Sequence, residues 1–150
     1  MERQKTLAAM LAFEGKSLHS GAYTRIRVLP ADVNSGVTFV RTDCGGREIR
    51  ACAQSLGSAD SCVRRTRIGT DEACVHTIEH LMAVFSLLGV DNVRVEIDSD
   101  ELPGMDGSAE PFYQAISQAG LIEQNALRNV TVIAEPLYAV EGRAVAIALP

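Results

Sequence analysis

Two stretches of the chain alternate between apolar and polar residues. From Tyr23 to Leu29, Thr24, Ile26 and Val28 share one face while Arg25 and Arg27 take the other. That period of two predicts a half-buried strand, stopped by Pro30. Val93, Val95 and Ile97 alternate in the same way with Arg94, Glu96 and Asp98. Leu7 to Phe13 is a run of small and apolar residues ending at Glu14-Gly15, which predicts one buried strand, and Leu18-His19-Ser20-Gly21 reads as a turn. Asn34-Ser35-Gly36 is turn chemistry ahead of a further strand, Val37 to Arg41, and Cys44-Gly45-Gly46 reads as a loop. Two more short strands are expected between Ala51 and Thr70, where the pattern is poor.

Helical spacing is clearest from about Thr77 to Leu88, where Ile78, Leu81, Met82, Phe85 and Leu88 fall on one face and Gly89 is placed to end the helix. A second helix is predicted to run to about Ala119-Gly120, capped by Ser108, with Pro111 in its first turn. Between the helices, residues 102–108 are polar and punctuated by Gly and Pro, a loop. Strands, a helix, a strand and a helix in that order predict an α+β fold. After Arg128 the apolar pattern restarts through Val130, Val132, Tyr138, Val140, Val145 and Ile147, with a hairpin turning at Glu141-Gly142. Two strands are not stable alone. Residues 1–128 are therefore expected to form one domain, and 129–150 the opening strands of a truncated second one.

With 47% hydrophobic and 22% charged residues over 150 positions, the composition is that of a globular protein able to bury a core. The net charge of −5 argues against a nucleic-acid partner. No run of about 18 apolar residues offers a membrane span, and Met1-Glu2-Arg3-Gln4-Lys5 leads into no secretory signal. The four cysteines (Cys44, Cys52, Cys62, Cys74) form no CxxC pair, which reads as reduced thiols in a cytoplasmic protein.

Candidate chemistry concentrates at the first helix. Glu79 and His80 are adjacent, project about 100° apart and sit at the rim of its N-terminus. Such a pair is either surface decoration or the base and one ligand of a zinc hydrolase, whose metal takes three protein ligands. The other two histidines lack ligand spacing to His80. His76 reads as a cap-adjacent side chain or a substrate contact, and His19 as a turn cap or a hydrogen-bond partner of a ligand phosphate. Arg64, Arg65 and Arg67 read as a solvated edge strand or an anion-docking cluster. Asp106 is a ligand, an acid, or ordinary loop material.

Three segments in order and spacing are similar to those of one enzyme family. Residues 15–21, Gly-Lys-Ser-Leu-His-Ser-Gly, resemble the GxGLHSG turn of the UDP-3-O-acyl-N-acetylglucosamine deacetylases. Thr77-Ile78-Glu79-His80-Leu81 with Leu88-Gly89-Val90-Asp91-Asn92 resembles the family's TxEHL helix and the LGIDN that follows it, and residues 102–112 resemble its xPxMDGSAxPF loop. Arg41-Thr42-Asp43 fits the family's RTD strand end.

The resemblance implies a two-layer sandwich of a mostly antiparallel sheet and packed helices, the first of two similar domains with the active site between them. It implies a zinc-dependent deacetylase that releases acetate from a UDP-acyl-glucosamine in the committed step of lipid A synthesis in Gram-negative bacteria. Glu79 would be the general base, His80 one of three zinc ligands and His19 a substrate contact. The remaining ligands would come from a missing C-terminal domain, in cis or in trans. The isolated chain is accordingly predicted to be inactive. The alternatives are a non-catalytic binding or scaffold domain of the same fold, or one chain of a split two-chain enzyme. His76 stands where the family usually has Ser, removing a Ser-x-x-Glu capping box around Glu79. Lys16 and the arginine cluster also depart from the pattern, which leaves acyl-chain specificity open.

Overall fold

The two alternating segments pair with each other at the centre of a sheet. In a computed structural model, which describes residues 2–58, 62 and 64–150, β3 (Tyr23–Pro30) runs antiparallel to β8 (Val93–Ile97), the element that follows the first helix. Ile26 faces Ile97 and Val28 faces Val95 across the pair. Around them β2 (Leu11–Lys16), β4 (Val37–Arg41) and β5 (Arg47–Arg50) complete five strands in the order β2-β3-β8-β4-β5. Only β4 and β8 are parallel, so the sheet is mostly antiparallel.

One face of this sheet is covered by α1 (Glu79–Leu88) and α2 (Glu110–Ala119), which touch each other. Leu81, Val84 and Phe85 of α1 and Phe112 and Ile116 of α2 bury against Ile26, Val28, Phe39, Val95 and Ile97. Each such side chain contributes about 1.5–3 kcal/mol by leaving water. The Phe13 and Phe112 rings meet edge to face at 4.9 Å. The expected α+β sandwich is thus observed.

The helix boundaries have local causes. α1 ends where Gly89 turns left-handed (φ 70°) and its N–H returns to the Phe85 and Ser86 carbonyls. It begins at Glu79 rather than Thr77, because Thr77 has φ 59°, outside the helical region. Ile78 occupies the N-cap with no side-chain cap bond. The N-cap of α2 is Ala109 rather than the expected Ser108 and has no side-chain cap bond; Ser108, one residue earlier, accepts the Glu110 N–H through its Oγ at 3.1 Å.

Other expectations change. The run Leu7–Phe13 is two strands, not one: β1 (Arg3–Leu7) and β2 belong to different sheets. The break comes at Ala8, whose N–H bonds the Gly120 carbonyl, and β1 pairs instead with β9 (Leu121–Leu127). Between Ala51 and Thr70 the described residues hold one strand, β6 (Arg67–Gly69), and a 3₁₀ turn at Ala53–Ser55. Residues 59–61 and 63, inside that span, lie outside the described residues. The partner of β6 is β7 (Cys74–His76), just beyond it. The C-terminal hairpin forms between β10 (Leu137–Glu141) and β11 (Ala144–Ala148), with Val130 and Val132 outside it. Tyr138, Val140, Val145 and Ile147 are all exposed. No helix among the described residues is long and apolar enough to cross a membrane.

Candidate functional site

Glu79 opens α1 with its carboxylate divided between two surroundings. Oε1 accepts the backbone N–H of Thr66, in the segment leading into β6. Oε2 is buried and has no hydrogen-bond partner among the described residues. An unpaired buried carboxylate oxygen is costly, of order 1–3 kcal/mol or more, and such atoms are rare away from functional sites. Glu79 also lines a mostly apolar cavity of about 370 Å³, together with Cys52, Leu56, Thr66, Ile68 and Met82. A fixed carboxylate with one oxygen uncommitted beside a cavity is suited to receive a proton from a bound group.

His80, the next residue, is half-buried, as the rim position of the pair requires. The loop before α2 lies within its electrostatic reach. The Asp106 carboxyl is held below its usual range first by the Ser108 backbone N–H and hydroxyl, and more weakly by His80.

The third histidine joins this end of the molecule through a residue that the sequence did not single out. The His19 ring and Glu101 Oε1 lie 2.9 Å apart through Nδ1, and the His19 and Ser20 backbone N–H groups donate to the same carboxylate. Thr77 adds its hydroxyl at 3.0 Å. Glu101 has no solvent exposure. Burial would raise its pKa, but the Ser20 and His19 backbone donors, then the two side chains, bring it down to about 2. Backbone contacts place it: a parallel bridge joins Glu101 to His76, and a second bridge joins Ser17 to Pro103. The signal for Glu101 in the sequence is slight, since one acidic residue in Asp98-Ser99-Asp100-Glu101 looks like another.

His76 is buried beside the same cluster, with Nε2 3.6 Å from Asp100 Oδ2. Burial pushes its imidazole below the usual value, the Arg65 charge pushes the same way, and Asp100 and Glu101 oppose both. The arginines do not share a strand. Arg64 sits in a turn with φ 56°, Arg65 lies in a bend, and only Arg67 is in β6. The Arg67 guanidinium donates to the Thr70 carbonyl and to Asp71 Oδ1 at 2.9 Å, closing its own hairpin.

The structure thus gathers His19, Glu101, Thr77 and His76 in one hydrogen-bonded cluster, with Glu79 and His80 on the turn that follows Thr77. Among the described residues, no group of three or more His, Cys, Asp or Glu side chains is arranged to hold a metal ion. The orphaned Glu79 oxygen and the half-exposed His80 fit a base and a single ligand. A complete zinc set they are not.

Residues 4–150 match the family model described as UDP-3-O-acyl N-acetylglycosamine deacetylase. Among curated proteins, the chain is 42% identical over 144 residues to the UDP-3-O-acyl-N-acetylglucosamine deacetylase of Phenylobacterium zucineum, covering 93% of this chain and 47% of that protein. It is 39% identical over 150 residues to the enzyme of the same name from Trichormus variabilis, covering 99% and 53%. To that of Francisella tularensis it is 40% identical over 138 residues, covering 91% and 48%. The chain therefore spans about half the length of the curated relatives it matches.

Proposed function

The chain belongs to the UDP-3-O-acyl N-acetylglycosamine deacetylase family, and from that premise we propose that it supplies the N-terminal half of a zinc-dependent amide hydrolase. The substrate would be a UDP-acyl-glucosamine, and the enzyme would work in the cytoplasm of a Gram-negative bacterium. The observation that carries the reading is Glu79: an N–H fixes one carboxylate oxygen, and the other is buried without a partner among the described residues, in a side chain that lines a cavity.

In this reading Glu79 is the general base that takes the proton of the water attacking the N-acetyl carbonyl. His80 is the one zinc ligand from this half, and the remaining ligands come from a second half, in cis or in trans. Zinc, when bound, acidifies water and polarises a carbonyl. His19 contacts the substrate from the neighbouring turn. Residues 129–150, whose exposed hairpin offers Tyr138, Val140, Val145 and Ile147, begin that second half.

The test joins residues 1–150 to the C-terminal half of the Phenylobacterium zucineum relative and measures acetate release and zinc content. Glu79→Ala should reduce turnover by 10²-fold or more with zinc retained, whereas His80→Ala should lose zinc. Both variants turning over like the parent would refute the assignment. Stoichiometric tight zinc on the 150 residues alone would refute the division of ligands.

A further inference from the structure

The chemistry of the Glu101 contacts decides which edge of His19 faces a ligand. A carboxylate that receives two backbone N–H groups and a hydroxyl is stabilised as the anion. As an anion it is an acceptor only. The hydrogen in the 2.9 Å contact between His19 Nδ1 and Glu101 Oε1 must therefore sit on the imidazole. A neutral ring protonated at Nδ1 carries its lone pair on Nε2. That atom has no hydrogen-bond partner among the described residues, and the His19 side chain is 35% exposed. A phosphate at neutral pH has no proton to give such a nitrogen, whereas a sugar hydroxyl does.

Resting on the proposed function, we propose that Glu101 is a positioning residue that fixes His19 in the Nδ1–H tautomer, so that Nε2 accepts a hydrogen bond from a hydroxyl of the bound nucleotide sugar. The same Glu101 oxygen accepts the Thr77 hydroxyl, two residues before Glu79. One buried carboxylate thereby sets both the His19 turn and the entry to the helix that carries the base. Of the two readings of His19 from the sequence, a turn cap or a partner of a ligand phosphate, the assignment replaces the second with a contact to a sugar hydroxyl.

Long-range ¹H–¹⁵N correlation on the histidine-labelled chain at pH 8 reads the tautomer directly. His19 should show a protonated Nδ1 and an unprotonated Nε2, and Glu101→Gln should shift the ring toward the ordinarily preferred Nε2–H form. A wild-type ring protonated at Nε2, or a tautomer indifferent to Glu101→Gln, overturns the proposal. In the completed enzyme, His19→Ala should raise KM about tenfold or more with a smaller change in kcat. His19→Gln, whose amide oxygen can stand near Nε2 as an acceptor, should keep KM within about threefold. An unchanged KM in His19→Ala, or a loss in His19→Gln equal to that of alanine, also overturns the proposal. No turnover in the completed parent enzyme refutes the proposed function instead, and the NMR measurement still decides the role of Glu101.

Discussion

The Thr77 hydroxyl donates a 3.0 Å hydrogen bond to Glu101 Oε1 from a backbone held at φ 59°. A β-branched residue in the left-handed region is strained by on the order of 1 kcal/mol or more. The surroundings hold it there: the Thr77 N–H also bonds the Thr66 carbonyl at 3.0 Å. Removing the hydroxyl and removing the strain should therefore act in opposite directions. Thr77→Val keeps the strain and deprives a buried carboxylate of a donor, so it should cost about 1–3 kcal/mol in urea unfolding. Thr77→Gly loses the same donor but relaxes the backbone, and should be less destabilising than Thr77→Val by about 1 kcal/mol. The reverse order would show that φ 59° stores no strain.

Phe13 in β2 and Phe112 in α2 join the strand that leads into the His19 turn to the helix that follows the 102–108 loop, with ring centroids 4.9 Å apart. Phe112 is essentially fully buried. Phe112→Ala should lower stability by about 3–5 kcal/mol, and Phe112→Leu by much less, because leucine refills most of the volume. Thermal unfolding of both variants checks this, and equal losses would show that ring geometry, not volume, is what matters.

The parts of the fold legible in the sequence are those where burial is one-sided. Thr24, Ile26 and Val28 point inward from β3 exactly as their alternation requires, and Leu81 and Phe85 mark the inner face of α1. β5 shows no such signal, because in Arg47-Glu48-Ile49-Arg50 only Ile49 is buried at the sheet edge. Leu7–Phe13 misleads for the opposite reason: an apolar run carries no mark of where the chain leaves one sheet for another, and that break depends on a Gly120 carbonyl far along the chain. At the site, Glu79, His80 and His19 stand in motifs that resemble a known family. Glu101 becomes visible only when its partners, 24 and 82 residues away, are folded around it.

Gly69 ends β6 at φ 99°, and a Cβ there would lie 2.4 Å from the Ala73 carbonyl oxygen. Neither the backbone conformation nor the contact admits a side chain without movement of the β6–β7 hairpin. Gly69→Ala should cost about 2 kcal/mol or more, whereas Gly107→Ala, with nothing near its Cβ, should cost only the backbone strain of about 1 kcal/mol. Chemical denaturation of the two variants compares them. Equal losses would mean that the hairpin yields freely.

Acid should destabilise the chain in two stages, each set by a buried group near Glu79. The first belongs to His76, whose pKa lies below 6.5 in the folded state because burial, and then the Arg65 charge, disfavour the imidazolium. Below pH 6.5 the unfolded chain binds a proton that the folded ring resists. Stability is therefore present above pH 6.5 and falls as pH drops toward the folded value. The second stage belongs to Glu101, lowered from 4.5 to about 2. There the folded state holds fewer protons than the unfolded one, so stability is complete above pH 4.5 and is lost as pH falls toward 2. That loss is on the order of 3 kcal/mol. Asp43, lowered by its Arg41 ion pair, and Asp106, lowered by the Ser108 N–H, add to this lower stage. His76→Gln should abolish the fall that sets in as pH drops below 6.5 and leave the Glu101 stage in place, as read from urea midpoints at pH 8, 5.5, 4.5 and 3. A wild-type midpoint that is flat from pH 8 to 5.5, or an upper fall that persists in His76→Gln, would contradict the assignment of that stage to His76.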